Sequence, residues 1–334
     1  MKKLFCVLLL CIAWGTSAQT LDDAYNAYRQ EDYKTASSLY EQLATKGDAK
    51  AQLELGLMFR HGIGVTKNYS EALSWLGKAS NQGSADAQHA LGMMFLDFEL
   101  IPDRDRVAAT YFRAAAKQGH VPALLAMGAM HLEGKGVQQD FTLAATFLRQ
   151  AADQGDPHAE TVLGSLYAVG KGVAVDYPRA AMLFRSAADK GYMDAQTRLG
   201  ALYEEGKGVP QDYKEAAALY QKAATAGGKV AQNMLGLLYE AGKGVPKDYE
   251  QAVSLFRESA EFGYSYAQHN LCRMYTRGLG LSANFQEAYF WCLLGSSDGS
   301  KAASKLRDVL EKSLTPGQVA LVQTSVRGWA PKTR

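Results

Sequence analysis

Residues 191–227 read GYMDAQTRLGALYEEGKGVPQDYKEAAALYQKAATAG, and this stretch decides the fold. Two helix-period patterns flank a glycine turn. Ala195, Leu199, Leu202 and Tyr203 recur at helical spacing in the first half, with Gly200 on the same side. Ala216, Leu219, Tyr220 and Ala223 do the same in the second. Between them stands Gly206-Lys207-Gly208-Val209-Pro210. Gly206 suits the left-handed conformation that ends a helix, and Pro210 discourages its continuation. Asp212 is placed to cap the following helix. Gly200 and Ala216 are small, which predicts a close approach of the helix axes. A larger side chain there would overpack the contact, at a cost of about 1–3 kcal/mol.

Working outward, the same unit recurs without a slip. Gly47, Gly83, Gly119, Gly155, Gly191, Gly227, Gly263 and Gly299 are spaced 36 residues apart and enclose seven units. Each unit keeps an Ala early in its first helix, from Ala51 to Ala267, and another in its second, from Ala72 to Ala288. The close-contact position reads Gly56, Gly92, Gly128, Gly164, Gly200 and Gly236, then Cys272. A period in this range marks a solenoid, in which each unit buries its apolar face on its neighbours. Residues 19–46 form a helical pair without the glycine turn, marked by Leu21, Ala24 and Tyr28, then Ala36, Leu39 and Tyr40. The second unit departs in its turn. Phe98 and Leu100 stand where the first has Gly62 and Gly64, with no change of length. Two readings are open: a drifted loop in which Phe98 and Ile101 pack locally, or a partner-contact loop.

The pattern Ala-x-x-x-Leu-Gly-x-x-Tyr-x-x-Gly-x-Gly-Val-x-x-Asp-Tyr-x-x-Ala, carried by residues 47–299, resembles the Sel1-like repeat family, relatives of the tetratricopeptide repeats with a longer turn. Residues 300–334 resemble the ending often found there, with Lys305-Leu306-Arg307-Asp308, Leu314-Thr315-Pro316 and Trp329. From the residues alone, Thr315-Pro316 reads as an N-cap and first-turn proline for a last helix. That helix would cover the final repeat, as solenoid ends require. The resemblance implies an all-α, right-handed α-α solenoid and a role as an adaptor in signalling, envelope assembly or host interaction.

Residues 1–18 are set apart from this array. Lys2 and Lys3 precede an apolar run from Leu4 to Ala13, and Thr16-Ser17-Ala18 reads as a signal-peptidase site before Gln19. The run is too short for a stable bilayer span. The expectation is a cleavable signal peptide cut after Ala18 and a periplasmic or secreted protein. Cys11 lacks the small preceding residue of a lipoprotein, since Leu10 stands there. The chain carries 36 basic and 34 acidic residues, and the excess is Lys2 and Lys3. The remainder is balanced, which argues against a nucleic-acid partner. No later apolar run is long enough for a transmembrane anchor.

Most candidate chemistry fails on its context. The repeated Gly-Lys-Gly, as at Gly170-Lys171-Gly172, lacks the spacing and the Ser or Thr of a phosphate loop. Gly295-Ser296-Ser297-Asp298-Gly299 matches a nucleophile elbow by letters, but a helix precedes Ser297 where an elbow needs a strand. The six histidines are scattered and form no zinc motif. His131 takes the slot of Tyr167, Tyr203, Tyr239 and Tyr275, as a packed substitute. No metal, cofactor or catalytic residue is expected, and the protein reads as a non-enzyme. The alternative is a cell-wall-directed binder or β-lactam hydrolase, as suggested for some cysteine-rich relatives. The Ser-x-x-Lys and Lys-Thr-Gly motifs of such hydrolases are absent.

Beyond the leader, the cysteines are Cys272, in the close-contact Gly slot, and Cys292, in the slot held by Phe112, Leu148, Phe184, Tyr220 and Phe256. Both should face one helix interface, as a disulfide or as two buried thiols.

If the solenoid curves like its tetratricopeptide relatives, the first helices line the concave face. The candidate binding residues are then Leu53, Leu57, His89, Met93, Leu125, Ala129, Thr161, Ser165, Thr197, Ala201, Asn233, Leu237, His269 and Arg273. The early repeats are rich in leucine; the later ones bring Glu204, Glu205, Glu240 and Arg273. An apolar half followed by a charged half suits an extended peptide or a helix of a protein partner. The competing reading is that the leucines pack against adjacent repeats.

Overall fold

The computed structural model describes residues 20–296 and 301–333. The signal-peptide segment 1–18, Ser297 and Gly299 lie outside the described residues. Eighteen helices and no strand occur among the described residues. Two compact units divide between Asp140 and Phe141.

The first unit contains α1 (Leu21–Arg29), α2 (Tyr33–Thr45), α3 (Ala49–His61), α4 (Tyr69–Asn81), α5 (Ala85–Asp97), α6 (Arg104–Ala116) and α7 (Val121–Glu133). Ala24, Ala36, Tyr40 and Ala44 of the α1–α2 pair form one buried cluster with Ala51, Leu55 and Met58 of α3. The second unit contains α8 (Phe141–Ala152), α9 (Pro157–Val169), α10 (Tyr177–Asp189), α11 (Met193–Glu205), α12 (Tyr213–Thr225), α13 (Lys229–Ala241), α14 (Tyr249–Glu261), α15 (Ser265–Arg277), α16 (Phe285–Gly295), α17 (Lys301–Ser313) and α18 (Pro316–Arg327). Within each unit consecutive helices pack on one another up to α17, and α18 folds back onto α16, which is the order of an α-solenoid closed by a terminal helix.

The local chemistry of the 191–227 stretch explains the repeat. Gly206 ends α11 at φ 68°, and its N–H bonds to Leu202 O. Asp212 opens α12, its carboxylate accepting from the N–H groups of Lys214 and Glu215 at 2.8 and 3.1 Å. Gly200 faces the ring of Tyr220, and a Cβ at Gly200 would lie 2.7 Å from Tyr220 Cε1. The small residue is therefore needed to admit an aromatic ring from the partner helix, a more specific demand than the general closeness read from Gly200 and Ala216.

Three repeat junctions of the second unit are also stapled by a polar pair, the exception being the junction where Gln221 replaces the arginine. Arg149 donates to the Tyr167 hydroxyl at 2.9 Å, Arg257 does the same to Tyr275 at 2.9 Å, and Arg185 bonds to Tyr203. In the first unit, buried His131 instead bonds through Nδ1 to Gln138 O at 3.1 Å.

The deviant turn of the second repeat keeps the register, since α5 and α6 retain 13 residues each. Phe98 packs edge-on against Tyr69 at 5.3 Å, as the local-packing reading expects of it, while Leu100 is 97% exposed and Ile101 37%. Without glycine, the turn places Asp103 in the left-handed region at φ 56°.

At the C-terminal end, Thr315 and Gln318 form a capping box with Pro316 at the start of α18. Leu310 of α17 and Val322 of α18 close the core around Tyr289, Trp291 and Cys292. Cys272 and Cys292 are joined as a disulfide with Cα atoms 5.3 Å apart. No described helix is long and apolar enough to cross a membrane.

Candidate partner-binding surface

The first helix of each repeat exposes one face, and its residues divide into three physical groups. Some are open. In the first unit Met93 and Ala129 are exposed and Leu125 is half-buried. In the second, Ser165, Thr197, Ala201, Leu237 and His269 are half-buried.

Some are spent on packing. Leu53 and Leu57 lie against the cluster of Leu76, Leu91 and Met94. They act mainly as contacts between repeats. His89 sits 5.0 Å from the His120 ring and 5.5 Å from Phe112. Burial first, and then the neighbouring His120, hold its pKa below the ordinary imidazole value.

Two expected groove residues are not available at all. Thr161 is 3% exposed and turns its hydroxyl back to Pro157 O at 2.7 Å, a local bond that draws the side chain against its own helix. Asn233 is 3% exposed because Asn270 of the next first helix covers it, donating to its Oδ1 at 2.8 Å. The charged half of the surface is also more neutral than its sequence. Arg273 grips Glu240 through two bonds of 2.5 and 2.6 Å, and Lys207 pairs with Glu205 at 2.6 Å.

What remains open in the second unit is a trough along α11 and α13. Its middle hollow, about 260 Å³, is lined by Asp194, Thr197, Arg198, Ala201, Tyr220, Val230 and Met234. A second hollow of about 370 Å³ shares Asp194, Thr197 and Val230 and reaches Met193, Gly228 and Lys332. The C-terminal tail bounds that end, with Lys332 N donating to Glu261 O at 2.8 Å and Lys332 Nζ pairing with Glu261 Oε2 at 2.6 Å. A third hollow, about 490 Å³, lies at the other end, with Glu204, Leu237, Glu240 and Arg273 in its walls. Tyr220 donates to Glu204 Oε2 at 2.9 Å, and burial raises its phenol pKa well above the ordinary value.

In the first unit a hollow of about 290 Å³ is lined by Leu21, Asp22, Tyr25, Tyr40, Lys50, Leu53, Glu54 and Asp86. Of these, only Leu53 belongs to the face read from sequence. Tyr40, Tyr220, Val230 and Met234 were missed because an aromatic or apolar residue at helical spacing reads as core. The available signal was the slot of Leu76, Phe112, Leu148, Phe184 and Phe256, where Tyr40 and Tyr220 alone bring a hydroxyl.

No group of three His, Cys, Asp or Glu side chains that could hold a metal occurs among the described residues.

Comparison with known proteins places this architecture. The Sel1 repeat model matches seven times, at residues 49–84, 85–120, 121–156, 157–192, 194–228, 229–264 and 265–300. A crystal structure of a Sel1 repeat protein from Oxalobacter formigenes is similar, with 30% identity over 87% of this chain and 88% of that one, and a TM-score of 0.68. The protective antigen c5321 of uropathogenic Escherichia coli, described as displaying an SLR fold, has 26% identity over 91% of this chain and 82% of its own, with a TM-score of 0.46. No curated protein matches. With seven consecutive repeats over most of its length, the chain belongs to the Sel1 repeat family.

Proposed function

We propose that this Sel1 repeat protein is a non-catalytic scaffold that holds a protein partner along the face of its first helices, taking an extended peptide or a helix of that partner. Repeat scaffolds of this kind commonly mediate protein–protein interaction. The observation that carries the finer reading is the α11–α13 trough. Its walls alternate apolar groups, Ala201, Val230 and Met234, with the charged Asp194 and Arg198 at the rim. Apolar anchoring flanked by polar selection is the chemistry of peptide recognition. A first helix of 13 residues spans about 20 Å at 1.5 Å per residue, enough for an extended segment of about six residues.

We place the protein in the periplasm or outside the cell. The leader-like residues 1–18 and the Cys272–Cys292 bond, which suits an oxidising compartment, support this. The test is substitution inside the trough. Met234→Glu and Ala201→Glu should each abolish recovery of the partner from cells with the far-UV helical signal intact. Full recovery with both variants would move the site off the trough.

A further inference from the structure

The hollow of the first unit and the middle hollow of the α11–α13 trough occupy the same register of the repeat. Tyr40 stands where Tyr220 stands five units later, Lys50 where Val230 does and Glu54 where Met234 does; in α1, Leu21 takes the place of Thr197 and Tyr25 that of Ala201. The volumes are alike, at about 290 and 260 Å³, but the first is acidic where the second balances Asp194 with Arg198. Three carboxylates, Asp22, Glu54 and Asp86, line the first against one ammonium, Lys50.

The two tyrosines also differ in their bonding. Tyr220 spends its hydroxyl on Glu204. The turn between α1 and α2 is shorter than that between α11 and α12, so Tyr28 takes the place of Glu204 and no carboxylate stands there to accept from Tyr40. Tyr40 is 2% exposed, yet its hydroxyl has no hydrogen-bond partner among the described residues and lines the hollow. The hydroxyl thus remains available to a group bound in the hollow. Glu54 is half-buried, with neither an ion pair nor a hydrogen bond among the described residues. Asp86 is met by His120 Nε2 at 3.1 Å. Burial, with Asp86 second, raises the Glu54 pKa, and burial pushes Tyr40 up to about 12. Neither group is spent on a protein donor among the described residues, which leaves both open to N–H groups of a molecule in the hollow. Tyr25, 54% exposed, offers a ring face at the mouth.

We propose that this hollow is a pocket for the basic side chain, lysine or arginine, of the partner's peptide. Tyr40 Oη and the Glu54 carboxylate receive its N–H groups, and Leu21, Tyr25 and Leu53 enclose its aliphatic stem. The proposal rests on the reading of the protein as a peptide-binding scaffold. It adds a selectivity for positive charge at the N-terminal end that the trough does not share.

The experiment uses the purified protein carrying 3-fluorotyrosine, with fluorine resonances of Tyr40 and Tyr25 assigned by Tyr40→Phe and Tyr25→Phe. The probes are the N-acetyl amides of lysine and arginine, with those of norleucine and citrulline as uncharged counterparts. A saturable shift at Tyr40 with a cationic probe is expected, with binding about tenfold weaker for the uncharged counterpart and for Glu54→Gln. No saturable shift with either cationic probe, equal binding of the uncharged ones, or unchanged binding in Glu54→Gln would overturn the proposal. Capture of a partner by the first helices with this hollow silent would sink the pocket alone. A responsive hollow with no partner captured would sink the scaffold reading and leave the pocket standing.

Discussion

Cys272 and Cys292 are bonded across α15 and α16 at the same two slots where Gly200 receives the ring of Tyr220. The last repeat replaces a glycine–aromatic contact by a covalent one. The bond closes a segment with a sequence separation of 20 residues, and such a closure contributes about 3 kcal/mol by restricting the unfolded chain. Cys272→Ala with Cys292→Ala should therefore lower stability by about that amount in urea denaturation. Wild type in a strong reductant should show a comparable loss.

The contact it replaces is equally specific. A Cβ at Gly200 would lie 2.7 Å from a ring carbon of Tyr220, well inside ordinary van der Waals distance. Gly200→Val should destabilise the protein by about 1–3 kcal/mol through overpacking. Denaturant midpoints would measure it. Tyr220→Leu in the same chain should recover part of the loss by freeing the space, and strict additivity would contradict this contact.

Much of the fold was legible in the sequence because the repeat is compared with itself. Gly206, Asp212 and Pro316 do in the structure what their backbone chemistry dictates. The surface was less legible. Spacing assigns Thr161 and Asn233 to a helix face, but the neighbouring helix decides how deep that face lies, and Asn270 buries Asn233. The same limit hid Tyr40, whose spacing marks a core ring and whose unpartnered hydroxyl is visible only once the short α1–α2 turn is seen to bring Tyr28, not a carboxylate, to the place of Glu204.

Arg273 and Glu240 form a close ion pair on the first-helix face, with side chains 21% and 17% exposed. Their geometry is bidentate, the strong form of such pairs. A double-mutant cycle of Arg273→Ala and Glu240→Ala should return a coupling energy of about 1 kcal/mol. A coupling indistinguishable from zero would show the pair to be solvent-screened.

His89 makes stability depend on acidity. Its folded-state pKa is held below the ordinary 6.5, by burial first and by His120 second, with Arg60 acting in the same sense and Asp86 against it. The unfolded chain then binds the proton more readily than the folded one. Stability is complete above about pH 6.5 and declines as pH falls through the imidazole range. His89→Phe should flatten that decline between pH 7.5 and 5.5, as read by urea midpoints at each pH. An unchanged slope would assign the decline to other groups.

The central claim, that the first helices hold a protein partner, is tested most directly by site-specific photo-crosslinking in cells that express the protein. Probes belong at Met93 and Ala129 in the first unit and at Ala201 and Met234 in the second. Met182 on the second helix α10, 70% exposed, is the control. The account predicts that the first-helix probes capture the same protein and that Met182 does not. Capture from Met182 alone, or equal capture from all five positions, would contradict it.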